Sequence, residues 1–173
     1  WGLVETLRRA NGMFALAVWD ADAATLSLAR DRMGEKPLYV ARRSAGCVFA
    51  SEMRAITILD DAPRIVDQRA LASMVASGAV PDQACALAGL QKIQPGTILQ
   101  FSARDESPRQ IIYEDFSYLL EQGKSCAPAC STQLSDAASA NKLEAVLREV
   151  IGSHMMSDVP LGCFLSGGVD SSL

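Results

Sequence analysis

The spacing of apolar residues changes period several times along this chain, and each change predicts an element. Leu3 to Arg9 reads as the end of a helix, stopped at the turn pair Asn11-Gly12. In the next stretch, MFALAVWD, both alternating faces are apolar: Met13, Ala15, Ala17 and Trp19 against Phe14, Leu16 and Val18. That pattern predicts a strand buried on two sides, in a sheet between layers. Asp20-Ala21-Asp22 turns the chain into a second strand over Thr25 to Ala29. Beyond the polar loop RDRMGEK, Pro37 to Arg42 and Cys47 to Ser51 predict a hairpin across Ser44-Ala45-Gly46. Ser51 and Glu52 end that strand and are placed to cap a following helix.

Further on, Asp67 is the expected N-cap of a short helix carrying Leu71, Met74 and Val75 and closed by Gly78. IQPGTILQF supplies a Pro-Gly turn into a strand, which QIIYEDF can pair with across the polar loop 102–109. Residues 122–140 are rich in Ser, Ala and Gln and read as an interdomain linker. At Asn141 a helix is expected to begin, with Glu144 completing a capping box. Leu143, Val146, Leu147, Val150, Ile151 and Met155 fall on one face of that helix. Asp158-Val159-Pro160 ends it, Leu161 to Leu165 predicts a short apolar strand, and a glycine loop follows. Helix, strand and glycine loop together read as the opening of an α/β domain.

Composition narrows the classes. A length of 173 residues holds one ordinary domain, or a domain and the beginning of another. The net charge of −4, with no basic block, gives no general attraction for nucleic acid or an anionic membrane. No apolar run is long enough for a membrane span. Five scattered cysteines, Cys47, Cys85, Cys126, Cys130 and Cys163, point to reduced thiols and a cytoplasmic location rather than a disulfide framework. Cys126 and Cys130 have the spacing of a metal half-site, but a single His and no second cysteine pair argue against one. Position 1 is Trp, no signal-peptide pattern follows, and the glycine loop runs into the last residue. The expectation is an internal piece of a longer protein, inactive by itself.

The last ten residues, FLSGGVDSSL, carry the clearest chemistry. Glycines after a strand let the backbone turn sharply and approach a ligand with no Cβ in the way. Successive N–H groups then converge, and a helix N-terminus adds partial positive charge, so the loop favours phosphate oxygens. The backbone at Gly167 and Gly168 and the hydroxyls of the three serines, Ser166, Ser171 and Ser172, would donate to those oxygens. Asp170 would repel them, and its sensible roles are a helix cap or an approach to Mg²⁺. Phe164 and Leu165 would matter through their backbone, their side chains being core. This is not a Walker A loop, since the G-x-x-x-x-G-K-S/T spacing is absent. A Gly-Ser surface turn would read similarly, yet five fixed residues coincide by chance on the order of once per million positions.

S-G-G-x-D-S resembles the pyrophosphate loop of the ATP pyrophosphatases. With it stand NGMFALAVWD, LARDRMGEKPLY, FASEMRAI, LQKIQPGTILQF and SDVPLGCFLSGGVDSS, in an order and spacing that resemble the glutamine-hydrolysing asparagine synthetases. The likeness covers nearly the whole chain apart from the linker. It implies an α+β fold: the C-terminal part of an αββα N-terminal-nucleophile glutaminase sandwich over residues 1–121. A linker at 122–140 and the first helix and strand of an α/β ATP-pyrophosphatase domain over 141–173 follow. It also implies an ATP-dependent carbon–nitrogen ligase with glutamine as amido donor. ATP and aspartate would form β-aspartyl-AMP and diphosphate, and ammonia from glutamine would cross an internal tunnel to give asparagine. ATP and Mg²⁺ are the implied cofactors, small molecules the implied partners, and a homodimer stays open. On this likeness ATP would be bound by Phe164, Leu165, Ser166, Gly167, Gly168, Asp170 and Ser171, and Met13 would line the tunnel.

Departures from the family limit the carry-over. The family's nucleophilic cysteine lies upstream of the residue matching Trp1, and none of the five cysteines here matches it, so no catalytic residue is assigned. A nucleophile whose own α-amine is the base needs no histidine, so the lone His154 is expected at the surface or in packing. Arg30, Asp31, Gly34 and Pro37 form a polar loop that the family keeps near its interdomain face, though a salt-linked turn explains them equally. Other acceptors (a sugar or peptide carboxylate, or an internal amine as in β-lactam synthetases) stay open, as do a non-catalytic scaffold and a small phosphate-binding module.

Overall fold

The computed structural model describes residues 1–43, 46–59, 64–82, 84–102, 107–115, 120–121 and 136–169. They fall into two units, Trp1–Gln122 and Gly123–Leu173. In the first, α1 (Leu3–Arg9) leads into β1 (Ala15–Asp20), β2 (Thr25–Arg30), β3 (Tyr39–Arg43) and β4 (Gly46–Ala50). Next come α2 (Met53–Thr57), α3 (Gln68–Ser77), β5 (Leu90–Lys92), β6 (Thr97–Ser102) and β7 (Arg109–Ile112). The strands form two antiparallel sheets, one ordered β1-β2-β6-β7 and the other β4-β3-β5.

Register explains the layering. Leu28 stands opposite Leu99 and Ala29 opposite Ile98, and neighbouring residues of a strand point to opposite faces. Leu28 and Leu99 join Leu38, Val40 and Ile93 in the core between the sheets. On the other face Ala29 and Ile98 pack with Leu7 of α1 and with Tyr113. The second sheet is covered likewise: Ala41 and Leu90 pack with Ile56 of α2 and with Cys85. The unit is therefore helix, sheet, sheet, helix. This matches the mixed α/β character with antiparallel sheets expected of residues 1–121.

Several expectations are corrected. β1 pairs with β2 as predicted, but it is an edge strand, and Leu16 to Asp20 are exposed rather than buried on two sides. Its apolar pattern finds no covering layer among the described residues, because the three-stranded sheet and the short α1 cover mainly β2 and β6. In α3, Asp67 caps as expected, accepting from Arg69 N–H at 2.8 Å and Ala70 N–H at 3.1 Å, and Gly78 closes it at φ 76°. Yet Ala70 is its buried residue, while Leu71, Met74 and Val75 are exposed. Glu52 stands at the N-cap of α2 but makes no side-chain capping bond. β5 went unread, since three residues show no period; its partner β3 defines it.

The second unit contains α4 (Asp136–His154). It starts ahead of Asn141, which lies inside it, because Ala137, Ala138 and Ala140 favour helix more than their linker-like composition suggests. Glu144 makes no capping box and instead pairs with Arg148 at 2.7 Å. His154 is exposed at the last turn. Leu161 to Leu165 form no strand and are exposed, since a strand needs a neighbour to satisfy its backbone and none is present among the described residues of this unit. The remainder of the predicted linker, 122–135, with Cys126 and Cys130, lies outside the described residues.

Gly96 closes the turn into β6. Its φ is +63°, and a Cβ there would sit 2.2 Å from the Glu114 carbonyl oxygen. Gly96→Ala is expected to destabilise the first unit by roughly 3 kcal/mol or more. Urea unfolding followed by circular dichroism checks this, and an unchanged midpoint would contradict it.

Candidate functional site

The polar loop after β2 is held by two buried charges. Asp31 is 2% exposed, and its carboxylate accepts four backbone N–H groups. Oδ1 takes Met33 at 3.1 Å and Glu35 at 2.9 Å, and Oδ2 takes Lys36 at 2.9 Å and Phe14 at 3.3 Å. Burial works against its ionisation, but the amides of Lys36, Glu35, Phe14 and Gly34 outweigh burial and hold the carboxyl below its usual range. Arg30, 3% exposed, donates from Nε to Lys36 O at 2.8 Å and from Nη1 to Ile93 O at 2.8 Å. Its Nη2 reaches Gly34 O, and Asp82 lies 3.5 Å from Nη1. A hydrogen bond from Lys92, working against partial burial, keeps Asp82 itself low.

Ion pairs do tie this loop, Arg30 to Asp82 and Arg32 to Glu114 at 3.4 Å, but the Asp31 charge itself is surrounded by backbone dipoles. Gly34 makes the turn possible: at φ +68°, its Cβ would lie 2.7 Å from Pro95 Cγ and 2.8 Å from Arg30 Cζ. Tyr113 closes the far side, donating its O–H to Arg30 O at 2.7 Å. Burial and the neighbouring Asp31 charge push the Tyr113 phenol up to about 12, so it stays a donor.

Beside this loop opens a cleft of about 380 Å³, lined by Met13, Phe14, Ala15, Lys36, Pro37 and Ser51. Met13 lies just ahead of β1 and is partly exposed there. Sequence reasoning assigned Met13 a role but gave Lys36 and Ser51 none. Their convergence depends on how the β3-β4 hairpin comes to lie beside the Asp31 loop, a long-range arrangement that no local pattern reports. Met13, Phe14, Ala15 and Pro37 make its walls mainly apolar, with Lys36 and Ser51 as the polar contributors.

The glycine loop belongs to the second unit. Phe164, Leu165, Ser166, Gly167 and Gly168 are all exposed, and the side chains of Phe164 and Leu165 are not core. Gly167 adopts φ +73° with nothing within 4 Å of where a Cβ would stand, so the backbone here is open to a close-approaching ligand. Asp170 and Ser171 lie outside the described residues. Among the described cysteines, Cys47 is half-buried and burial pushes its thiol up, opposite to an activated nucleophile. Cys85 is buried 3.3 Å from Met53 Sδ, and Cys163 is exposed.

The Asp31 geometry carries a pH prediction. Its depressed folded pKa stabilises the fold above the unfolded value of about 3.9, and this contribution is lost as pH falls through the folded value. Asp31→Asn is expected to cost roughly 2 kcal/mol or more at neutral pH. The difference in unfolding free energy between parent and variant should narrow as pH drops below about 4. Denaturant titrations across that range check it, and a constant difference would contradict it.

Comparison with known proteins places these features. A family model described as a glutamine amidotransferase domain matches residues 1–113, and one described as asparagine synthase matches residues 142–173. The chain is 33% identical, over 99% of its length, to a putative glutamine-hydrolysing asparagine synthetase of Mycobacterium tuberculosis H37Rv, covering 26% of that protein. Glutamine-hydrolysing asparagine synthetase 1 of Bacillus subtilis is 30% identical over 97% of the chain and 24% of its own length. Asparagine synthetase B of Escherichia coli K12 is 29% identical over 98% of the chain and 24% of its own length. The chain thus spans about a quarter of the length of these curated relatives. With the amidotransferase match running through both sheets and the Asp31 loop, this chain belongs to the glutamine amidotransferase domain family.

Proposed function

We propose that this chain is part of a glutamine-dependent asparagine synthetase, an ATP-dependent carbon–nitrogen ligase. The observation that carries the reading is the succession of an amidotransferase match and an asparagine synthase match on one polypeptide. Residues 1–121 form the C-terminal part of the glutaminase domain, 122–140 the connection, and 141–173 the start of the ATP-pyrophosphatase domain. Glutamine is hydrolysed on the first domain, and the ammonia released is used on the second, where ATP activates the side-chain carboxylate of aspartate as its adenylate. The products are asparagine, glutamate, AMP and diphosphate.

The residues present suit such chemistry. The exposed, positive-φ backbone at Gly167 can turn its amides toward diphosphate oxygens. Phe164, Leu165, Ser166, Gly167, Gly168, Asp170 and Ser171 would hold ATP, the first two through their main chain. No group of three or more His, Cys, Asp or Glu converges among the described residues. Mg²⁺ would be carried chiefly on the nucleotide phosphates, with Asp170 as a protein contact. When bound, the ion would neutralise charge on the departing diphosphate. In the first unit the cleft at Met13 would admit ammonia, and its apolar lining would favour the neutral form over ammonium. No described helix is long and apolar enough to cross a membrane.

The test is aspartate-dependent diphosphate release by the full-length protein that contains this chain, with glutamine and with ammonium as donor. Release is expected with both. Gly167→Val is expected to cut both by about 100-fold, because a branched side chain at positive φ distorts the amides meant for the diphosphate. Release independent of aspartate would overturn the acceptor, and full activity of Gly167→Val would overturn the loop's role.

A further inference from the structure

Both walls of the Met13 cleft are fastened to one dipeptide. On one wall, Phe14 donates its N–H to Asp31 Oδ2 at 3.3 Å and accepts the Asp31 N–H at its carbonyl at 2.9 Å. On the other, Lys36 donates its N–H to the same Oδ2 at 2.9 Å, and its carbonyl accepts from Arg30 Nε at 2.8 Å. Each wall residue is thus held through its N–H and its C=O together. The holding groups are 2–3% exposed, so water offers little competition for them. Arg30 is anchored in turn to Ile93 O of the second sheet, and Arg30 O to Tyr113 Oη. The separation of Met13–Phe14 from Lys36–Pro37 is therefore set by the Arg30–Asp31 pair, with Asp31 Oδ2 the atom that both walls share.

Resting on the proposed function, we infer that Asp31, with Arg30 holding the same loop through the Lys36 and Gly34 carbonyls, is a positioning residue that sets the width of the Met13 cleft and with it the efficiency of ammonia delivery. It touches no substrate. Its effect is on how much of the ammonia made from glutamine reaches the adenylate rather than bulk water. An Asn at this place keeps the size, but its amide nitrogen cannot accept the N–H pair that one carboxylate oxygen holds. Lys36 and Phe14 then lose their common anchor, or the turn at Met33 and Glu35 loses its own.

The experiment measures glutamate formed per diphosphate released by the full-length protein, with saturating glutamine, for parent and Asp31→Asn. The parent ratio is expected near one-to-one. In Asp31→Asn the ratio rises by roughly threefold or more, while ammonium-supported diphosphate release falls by a smaller factor. Asp31→Glu, which keeps the charge but not the reach, is expected to raise it as well. A common fall of glutamine- and ammonium-supported rates with an unchanged ratio makes Asp31 a stability residue only and overturns the inference. If Asp31→Asn does not yield folded protein, Pro37→Gly decides: it loosens the Lys36–Pro37 wall with Asp31 intact, and an unchanged ratio there overturns the inference equally. A parent that forms no glutamate fails the proposed function itself, whereas a coupled parent and coupled variants fail this inference alone.

Discussion

An ionised carboxylate taken out of water needs compensation, and among the described residues Asp31 finds it in backbone amides. Four N–H groups from residues 14, 33, 35 and 36 converge on its two oxygens. That convergence compels the chain after β2 to wrap tightly around one side chain, which only a glycine at position 34 permits. The main chain of Asp31 joins the same knot, with its carbonyl accepting from Gly96 N at 2.9 Å. Strand order in the first sheet, the turn into β6 and the start of β1 all meet there. Arg30 extends the knot to the second sheet through Ile93 O. A buried charge of each sign, satisfied mostly by dipoles, thus ties elements whose apolar contacts alone would permit sliding.

Much of the first unit was legible because its signals are local. The β3-β4 hairpin, the pairing of β6 with β7, and the Asp67 and Gly78 ends of α3 follow from alternation, turn residues and caps. What was not legible depends on position within a layer. The apolar residues of β1 announce burial, but whether a strand is central or at an edge is decided by other elements. β5 exists through its pairing with β3, and no three-residue stretch could have revealed it. The cleft was half-read: Met13 came from a family likeness, whereas Lys36 and Ser51 arrive there through long-range topology.

The second unit shows the same division more sharply. α4 satisfies its own backbone, so its residues form a helix even though its apolar face at Leu143, Val146, Leu147, Val150 and Ile151 is exposed. Leu161 to Leu165 cannot do this, since strand hydrogen bonds come from a neighbour. The glycine loop inherits that dependence. Its residue types were readable as phosphate chemistry, but the strand expected to brace it is not formed among the described residues.

The edge placement of β1 has an optical consequence. Trp19 on that strand is 62% exposed, Trp1 is 85% exposed, and the chain has two tryptophans. Their emission should lie near that of indole in water already in the folded state. Denaturing the chain would move it little, so the wavelength is a poor gauge of the core. A blue shift would instead signal that another polypeptide surface had come to lie against Trp19 or Trp1.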